Sequence, residues 1–397
     1  MATWLDEVNM YRAAANLPNV SEDTSLSTAD QALTVYEVQS GYFGHNPPDN
    51  QYLTAAQNSN LYGSPDPNTP DTAAVDAWMA EVFHGIALID PLLTQVGWGR
   101  ADSNSITPPP DSTIKMIAAL DVLSDRTGDI LASPSNPIMW PGIGQNAPST
   151  TYVPEIPDAR SMFGYSGPPP PWNPAGQPIF LQLGNGNVAN PNVPTQSGVT
   201  YYGLLQGILE IPPGGSSPNP ITPVNVIEID ETNYSYPADN TLQTTARNIL
   251  AARGAVVLLP QQPLTAGGYT AVILVNGSLY TWSFTVGTNQ STPVCLGFVA
   301  SNVLQGTNMM YGQPTFTQGQ PFQGTYSAAG GSGGPYTFTG DQVPDGLTLT
   351  PYGGHLLTIS GTAPQTGPIG EGWTYLLTVT DNSQQSTQFP LSVGFSG

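Results

Sequence analysis

Lysine occurs once in these 397 residues, as Lys115, cysteine once, as Cys295, and histidine three times. A single cysteine cannot close an intramolecular disulfide, so no disulfide framework supports the fold. Seven basic residues against 28 acidic ones leave a formal charge of −21. Such a chain is repelled by phosphate backbones and anionic headgroups, which excludes nucleic acid as a partner. Charged residues make up only 9%, against about 25% in an ordinary domain, and the acids are scattered, not in runs. No apolar run approaches the roughly 20 residues of a membrane-spanning helix. The opening "MATWLDEVNMYRAA" lacks the basic, apolar and small-residue regions of a signal peptide. The expectation is a secreted or cell-surface protein whose signal has been removed.

Glycine (43) and proline (41) are plentiful and punctuate apolar runs, a pattern of short strands and turns. Helical spacing appears first at Trp4, Leu5, Val8, Tyr11 and Ala15, with Thr3 as N-cap. It recurs in "STADQALTVYEVQS" (27–40), which Gly41 stops, and in "DTAAVDAWMAEVF" (71–83), with Asp71 as cap. "SNLYGS", "QVGWGRA" and "IKMIAALDVL" read as strands. Residues 1–130 are therefore expected to form one α/β domain. Beyond them "PSNPIMWPGIGQNAP" and "GYSGPPPPWNPAGQP" exclude helix. Short apolar runs from "PIFLQL" to "LYTWSFTV" follow, interrupted by one helical piece, "TLQTTARNIL". Residues 131–290 are expected to form an immunoglobulin-like β-sandwich with that helix as an insertion, and 291–397 a second sandwich.

Chemistry concentrates near two histidines. His45 lies in "GYFGHNPP", and His84 follows Glu81 by three residues, a spacing that puts both on one face of a helix. Two imidazoles and a carboxylate suit an open Zn²⁺-like site or an acid–base pair. His355, in "YGGHLLTI", reads as a surface residue beside a turn, and Trp78 and Trp98 as core. Asp381 in "TDNS" reads as an acidic turn with calcium binding as the alternative. "GPPPPW" (167–172) reads as a stiff loop. The four sequons at Asn19, Asn233, Asn276 and Asn289 are about what an Asn- and Ser/Thr-rich chain yields by chance.

The order opening helix, "GYFGH", "SNLYGS", "AVDAWMAEVFHGIALIDPLLTQVGWG" resembles the bacterial branch of the CAP superfamily, the SCP-like domains of cysteine-rich secretory, antigen 5 and pathogenesis-related proteins. The resemblance rests on Asn9, Tyr11, Arg12, Phe43, His45, Asn60, Trp78, His84 and "VGWG" at 96–99. It implies an α–β–α sandwich, usually secreted, with a cleft lined by two histidines and two acids. Carried over, His45 and His84 match the family histidines and Glu81 one acid, while the second acid is replaced by Ser59. The downstream regions resemble bacterial immunoglobulin-like and cadherin-like modules, which implies spacers or adhesion elements.

The leading expectation is thus a non-enzymatic extracellular protein. A CAP-type head, with His45, Ser59, Glu81 and His84 in its cleft, would bind a small apolar ligand, a glycan or a surface protein. The sandwiches would mediate adhesion, self-association or surface assembly. No catalytic residue is assigned, and a divalent cation such as Zn²⁺ at the His45–His84 pair is the one cofactor considered. The alternative is a metal-dependent hydrolase using His45, Glu81 and His84, which the loss of an acid at Ser59 disfavours.

Overall fold

The computed structural model describes residues 2–105, 113–129, 131–133, 135–164, 174–185, 199–208, 210, 220–288, 293–300, 315–340, 346–362 and 372–396. The chain divides into two compact units, 1–132 with 153–156, and 133–152 with 157–397.

In the first unit, helix α1 (Trp4–Ala14) starts at Thr3, whose side chain and Asp6 form a reciprocal capping box. Helix α2 (Thr24–Ser40) is capped by Asp23 and ends at Gly41 in the left-handed region, φ 72°. Short α3 (Leu53–Asn58) leads directly into strand β2 (Ser59–Ser64). With β1 (Ser21–Glu22), β3 (Gln95–Asp102) and β4 (Met116–Asp121) it makes a sheet of order β1-β3-β4-β2. Only the β1–β3 pair is parallel.

Alternation along the strands assigns each face its helices. Gly97 and Gly99 of β3 meet α2 so closely that a Cβ at Gly99 would lie 2.1 Å from the Asp30 carbonyl carbon. Only glycine fits there. Between them Trp98 points to the other face, where it stacks on Trp4 at 5.2 Å and meets the edge of Trp78 at 6.1 Å. Trp78 is fully buried and donates to the Leu61 carbonyl, whereas Trp98 is half-buried. Helices therefore pack on both faces of the sheet.

The third predicted helix differs from expectation. It is two helices, α4 (Asp71–Met79) and α5 (Phe83–Leu88), separated by a break over 80–82. Pro70 takes the cap position, and Asp71 is the first helical residue. An apolar periodicity that runs through both pieces hides the interruption.

Arg12 holds these parts together. Its guanidinium is fully buried and donates to four carbonyls, those of Pro18, Leu88, Asp90 and Leu93, at 2.9–3.0 Å. It so ties α1 to the C-terminal end of α5, where the helix dipole favours a cation. Burial lowers its pKa to about 10 against the opposing pull of Asp90.

The second unit is mostly β. Val226–Ile229, Ala255–Pro260, Ile179–Gln182 and Ile138–Trp140 form an antiparallel sheet of four. A nine-stranded sheet runs from Thr222–Val224 through Gly267–Val275, Ser278–Val286 and Cys295–Ala300 to Pro321–Ala329 and Leu347–Tyr352. Helix α6 (Asn240–Ala251) is the expected helical piece. Pairing continues across 290/291, because Cys295–Ala300 offers one edge to Ser278–Val286 and the other to Pro321–Ala329. The core is continuous too: Leu205, Val272 and Leu274 pack in one cluster with Phe322, Leu357 and Phe389.

Helix α2 carries two buried acids. Asp30 accepts from Ser59 Oγ (2.8 Å) and from the Asp121 amide (3.0 Å). Glu37 Oε1 accepts from the Gly44 amide (3.0 Å), while buried Oε2 has no hydrogen-bond partner among the described residues. Burial raises both pKa values to about 7.

Two predictions follow from this packing. Arg12→Met leaves four buried carbonyls unpaired and should cost on the order of 3–5 kcal/mol, read as a lowered denaturation midpoint; an unchanged midpoint would remove Arg12 from this role. The second concerns pH. The folded pKa values of Asp30 and Glu37 lie above their unfolded ones, so their stabilisation is full below about pH 4 and lost as pH rises through about 7. The protein should melt at a higher temperature at pH 5 than at pH 8. Glu37→Gln should shrink the difference in unfolding free energy between those two pH values by on the order of 2–3 kcal/mol, at about 1.4 kcal/mol per pKa unit.

Candidate functional site

The site lies beside edge strand β2, where the loop after α2 and the α4–α5 break meet. Gly44 sits at φ 146°, a conformation other residues rarely adopt, and its amide is held by Glu37. Tyr42 Oη accepts from the Asn46 amide at 3.1 Å and closes the loop. This presents His45, whose Nδ1 lies 2.6 Å from the Ala56 carbonyl. A carbonyl only accepts, so Nδ1 carries the proton and the neutral ring offers its lone pair at Nε2. Burial and the neighbouring His84 lower the His45 pKa and favour that neutral form.

His84 lies opposite, its ring centre 5.9 Å from that of His45 and the planes 27° apart. Asn60 of β2 donates to the His84 carbonyl at 3.1 Å. His84 Nδ1 is 2.6 Å from Glu81 Oε2 and 3.1 Å from Glu155 Oε2. Glu81 Oε2 and His84 Nδ1 are buried and meet as an ion pair without the alignment of a hydrogen bond. Burial opposes charge on His84, but Glu81 and Glu155 outweigh it and push the imidazole up to about 10. Burial pushes Glu81 up to about 7 against the pull of His84. Burial and the Glu81 charge raise Tyr62 on β2.

Glu155 is the least foreseeable member. Its Oε1 accepts from the amides of Val82 (2.5 Å) and Phe83 (3.0 Å), and its Oε2 from those of Phe83 (3.1 Å) and His84 (3.3 Å). These amides open α5 and have no partner within the helix. The Val153 amide donates to the Ala80 carbonyl at 2.9 Å and fixes the segment to the break between α4 and α5.

The expected residues thus separate. His45, Glu81 and His84 come together, but Glu81 reaches His84 across a helix break and not along one helix face. Ser59 is not in the group. Its hydroxyl donates to Asp30 on the α2 side of the sheet, while the next residue, Asn60, turns to His84. A second carboxylate reaches His84 from Glu155, which no spacing announces; its only signal is an acid in the proline-bounded stretch "VPEIP". Candidate cation ligands within 4.8 Å of one another are Glu81, His84 and Glu155, a different set from the His45–His84 pair. A cation would compete with the proton on His84 Nδ1 for the same place.

Elsewhere, His355 is exposed beside its turn. Asp381 is spent on its own turn and a neighbouring one, accepting from the amides of Ser383 and Gln385 and from that of Ser332. The Asn233 amide nitrogen donates to Glu228 at 2.7 Å. "GPPPPW" and Asn289 lie outside the described residues. No helix among the described residues is long and apolar enough to cross a membrane.

Residues 5–107 match the model of the CAP family, the cysteine-rich secretory protein family. The match spans His45, Glu81 and His84 and stops before Glu155. A search of curated proteins finds no match. Among solved structures, a titin immunoglobulin tandem is 10% identical over 55% of this chain and 87% of its own, with a TM-score of 0.17. An endo-fucoidan hydrolase of glycoside hydrolase family 107 is 12% identical over 58% of this chain and 38% of its own, at 0.18. Tandem immunoglobulin repeats of Dlar are 10% identical over 55% and 88%, at 0.16. Likeness this weak carries no argument about function. What the comparisons establish is a CAP-type stretch at residues 5–107 of this chain.

Proposed function

We propose that this is an extracellular ligand-binding protein whose binding site is the His45–Glu81–His84–Glu155 cleft, and that it is not a hydrolase. The observation that carries this reading is the pinned pair of imidazoles. His45 is fixed by Ala56 and His84 by two carboxylates, so both rings are oriented before any ligand arrives. Exposed Phe43 and Ile156 flank His45 and Glu155 closely in sequence and add apolar surface, which supports a ligand with both polar and apolar parts. Among the described residues no serine, threonine or cysteine side chain bonds to either imidazole, and Ser59 is committed to Asp30. The β-rich remainder, in this reading, supplies adhesion or assembly, whether with a surface or with further copies.

Screening the full chain against glycan and lipid arrays tests the assignment. A hit should be lost in His84→Ala and weakened at least tenfold in His45→Ala, while Tyr352→Ser, an exposed change in the β region, leaves it unaltered. A hit that survives both histidine changes places binding elsewhere and overturns the reading.

A further inference from the structure

We infer that Glu37 is a positioning residue for His45 and acts under proton control. With its carboxyl neutral it seats the loop 41–46, and with its carboxyl ionised it lets that loop lift and loosens the cleft. The consequence for binding rests on the ligand-binding reading of the same cleft, whereas the movement of the loop belongs to the chain alone.

The geometry comes first. Glu37 is fully buried near the end of α2, one turn on from Leu33, which is fully buried too. Its Oε1 accepts from the Gly44 amide at 3.0 Å, and its buried Oε2 has no hydrogen-bond partner among the described residues. Gly44 immediately precedes His45, so this one bond fixes the backbone from which the imidazole projects. The other ties of the loop to the unit are His45 to the Ala56 carbonyl and Gln57 to Asn46 Oδ1, the latter long at 3.4 Å. Phe43 is 40% exposed, so the loop relies on these hydrogen bonds. Gly41 at φ 72° and Gly44 at φ 146° give it two points at which the backbone pivots easily.

Electrostatics supply the switch. An ionised Glu37 has one amide to bond and the negative end of α2 beside it, and a buried charge so poorly paired is costly. Hydration relieves that cost at the expense of the loop bonded to Oε1. A neutral carboxyl has no such drive and still accepts from Gly44 through its carbonyl oxygen. The surrounding charges are occupied elsewhere. Asp30, two turns back on α2, bonds Ser59; on β3 Arg100 pairs with Asp71, and Asp102 takes the Asn104 and Ser105 amides. Asp121 of β4 takes the Leu123 and Ser124 amides, and Asp49 caps the turn before α3. Tyr36 and Tyr52 stack on each other, and Tyr42 bonds Asn46 within the loop. Neither these groups, nor Lys115 before β4, nor the Glu81–His84 pair shifts Glu37: burial raises its pKa to about 7, and the Gly44 amide alone opposes it.

The experiment is amide hydrogen exchange of the full chain by NMR, read at Gly44 as protection relative to the unfolded sequence at the same pH. The Glu37 pKa is about 7 with the loop seated and ordinary once the carboxyl is hydrated. Seating is therefore strongest below about pH 4.5 and is lost as pH rises through about 7. Protection of Gly44 in the wild type should fall at least tenfold from pH 5 to pH 8 and level off above about pH 7. Glu37→Gln stays neutral and still accepts from Gly44, so its Gly44 should be equally protected at both pH values. Asp30→Asn should show the wild-type fall. In the wild type itself the Glu37 Cδ resonance should titrate near pH 7, which tests the assignment even where a variant fails to fold. Equal protection at pH 5 and pH 8 in the wild type, a fall that persists in Glu37→Gln or vanishes in Asp30→Asn, or a Glu37 carboxyl titrating in the ordinary range each overturns the inference. Exchange needs no ligand, so an array hit that survives both histidine changes sinks the ligand reading and leaves the switch standing.

Discussion

A carboxylate buried against the first turn of α5 organises the head of this protein. Glu155 accepts from the amides of Val82, Phe83 and His84, donors that a helix cannot satisfy within itself. That contact compensates the break between α4 and α5. The break in turn lets Glu81 fold back on His84 instead of lying beside it on a continuous helix. The orientation of the imidazole, the helix boundary and the grouping of acids thus depend on one side chain.

The same solution recurs because cations are scarce. Twenty-eight acids share seven basic residues, so most buried carboxylates cannot find an ion-pair partner and turn to backbone amides and hydroxyls. Asp30 uses Ser59 and the Asp121 amide, Glu37 the Gly44 amide, and Asp121 the amides of Leu123 and Ser124. Arg12 shows the converse, its buried guanidinium serving carbonyls. Ion pairs are kept for a few places, such as Asp158 with Arg160. Amide donors do not move or dissociate, so such acids are held more rigidly than a pair of long side chains would hold them.

Much of the head was legible because local signals agree there. Thr3 with Asp6 announces α1, Gly41 ends α2, and alternation gives β2, β3 and β4. His45 and His84 were legible as a pair through the family resemblance. The helix break was not, because the apolar pattern through "AVDAWMAEVFHGIAL" continues across it. Strand alternation would have shown that Ser59 and Asn60 face opposite sides, but only sheet order says which side holds the cleft. Glu155 sits 71 residues beyond His84, and a contact of that range leaves no periodicity. In the β region, turn spacing identified strands but not their neighbours. Cys295–Ala300 pairs with Ser278–Val286 on one edge and Pro321–Ala329 on the other, because a strand has two edges and sequence does not reveal which are used.

These long-range contacts bear on where function can reside. Several buried acids of the β unit are taken up by neighbouring groups: Asp158 by Arg160 and Tyr152, Asp230 by Thr232 and Asn233, Asp381 by turn amides. Cys295 is fully buried, and burial raises its thiol far from the reactive range. In the head, Glu81 Oε2 and His84 Nδ1 are buried and meet as an ion pair without an aligned hydrogen bond. Glu37 Oε2 and Glu228 Oε1 are short of a partner as well, but among the described residues it is at His84 that two carboxylates converge on an imidazole. An incompletely satisfied polar group costs stability, and at His84 that cost falls where three donor groups converge, so that an outside partner has something to gain there.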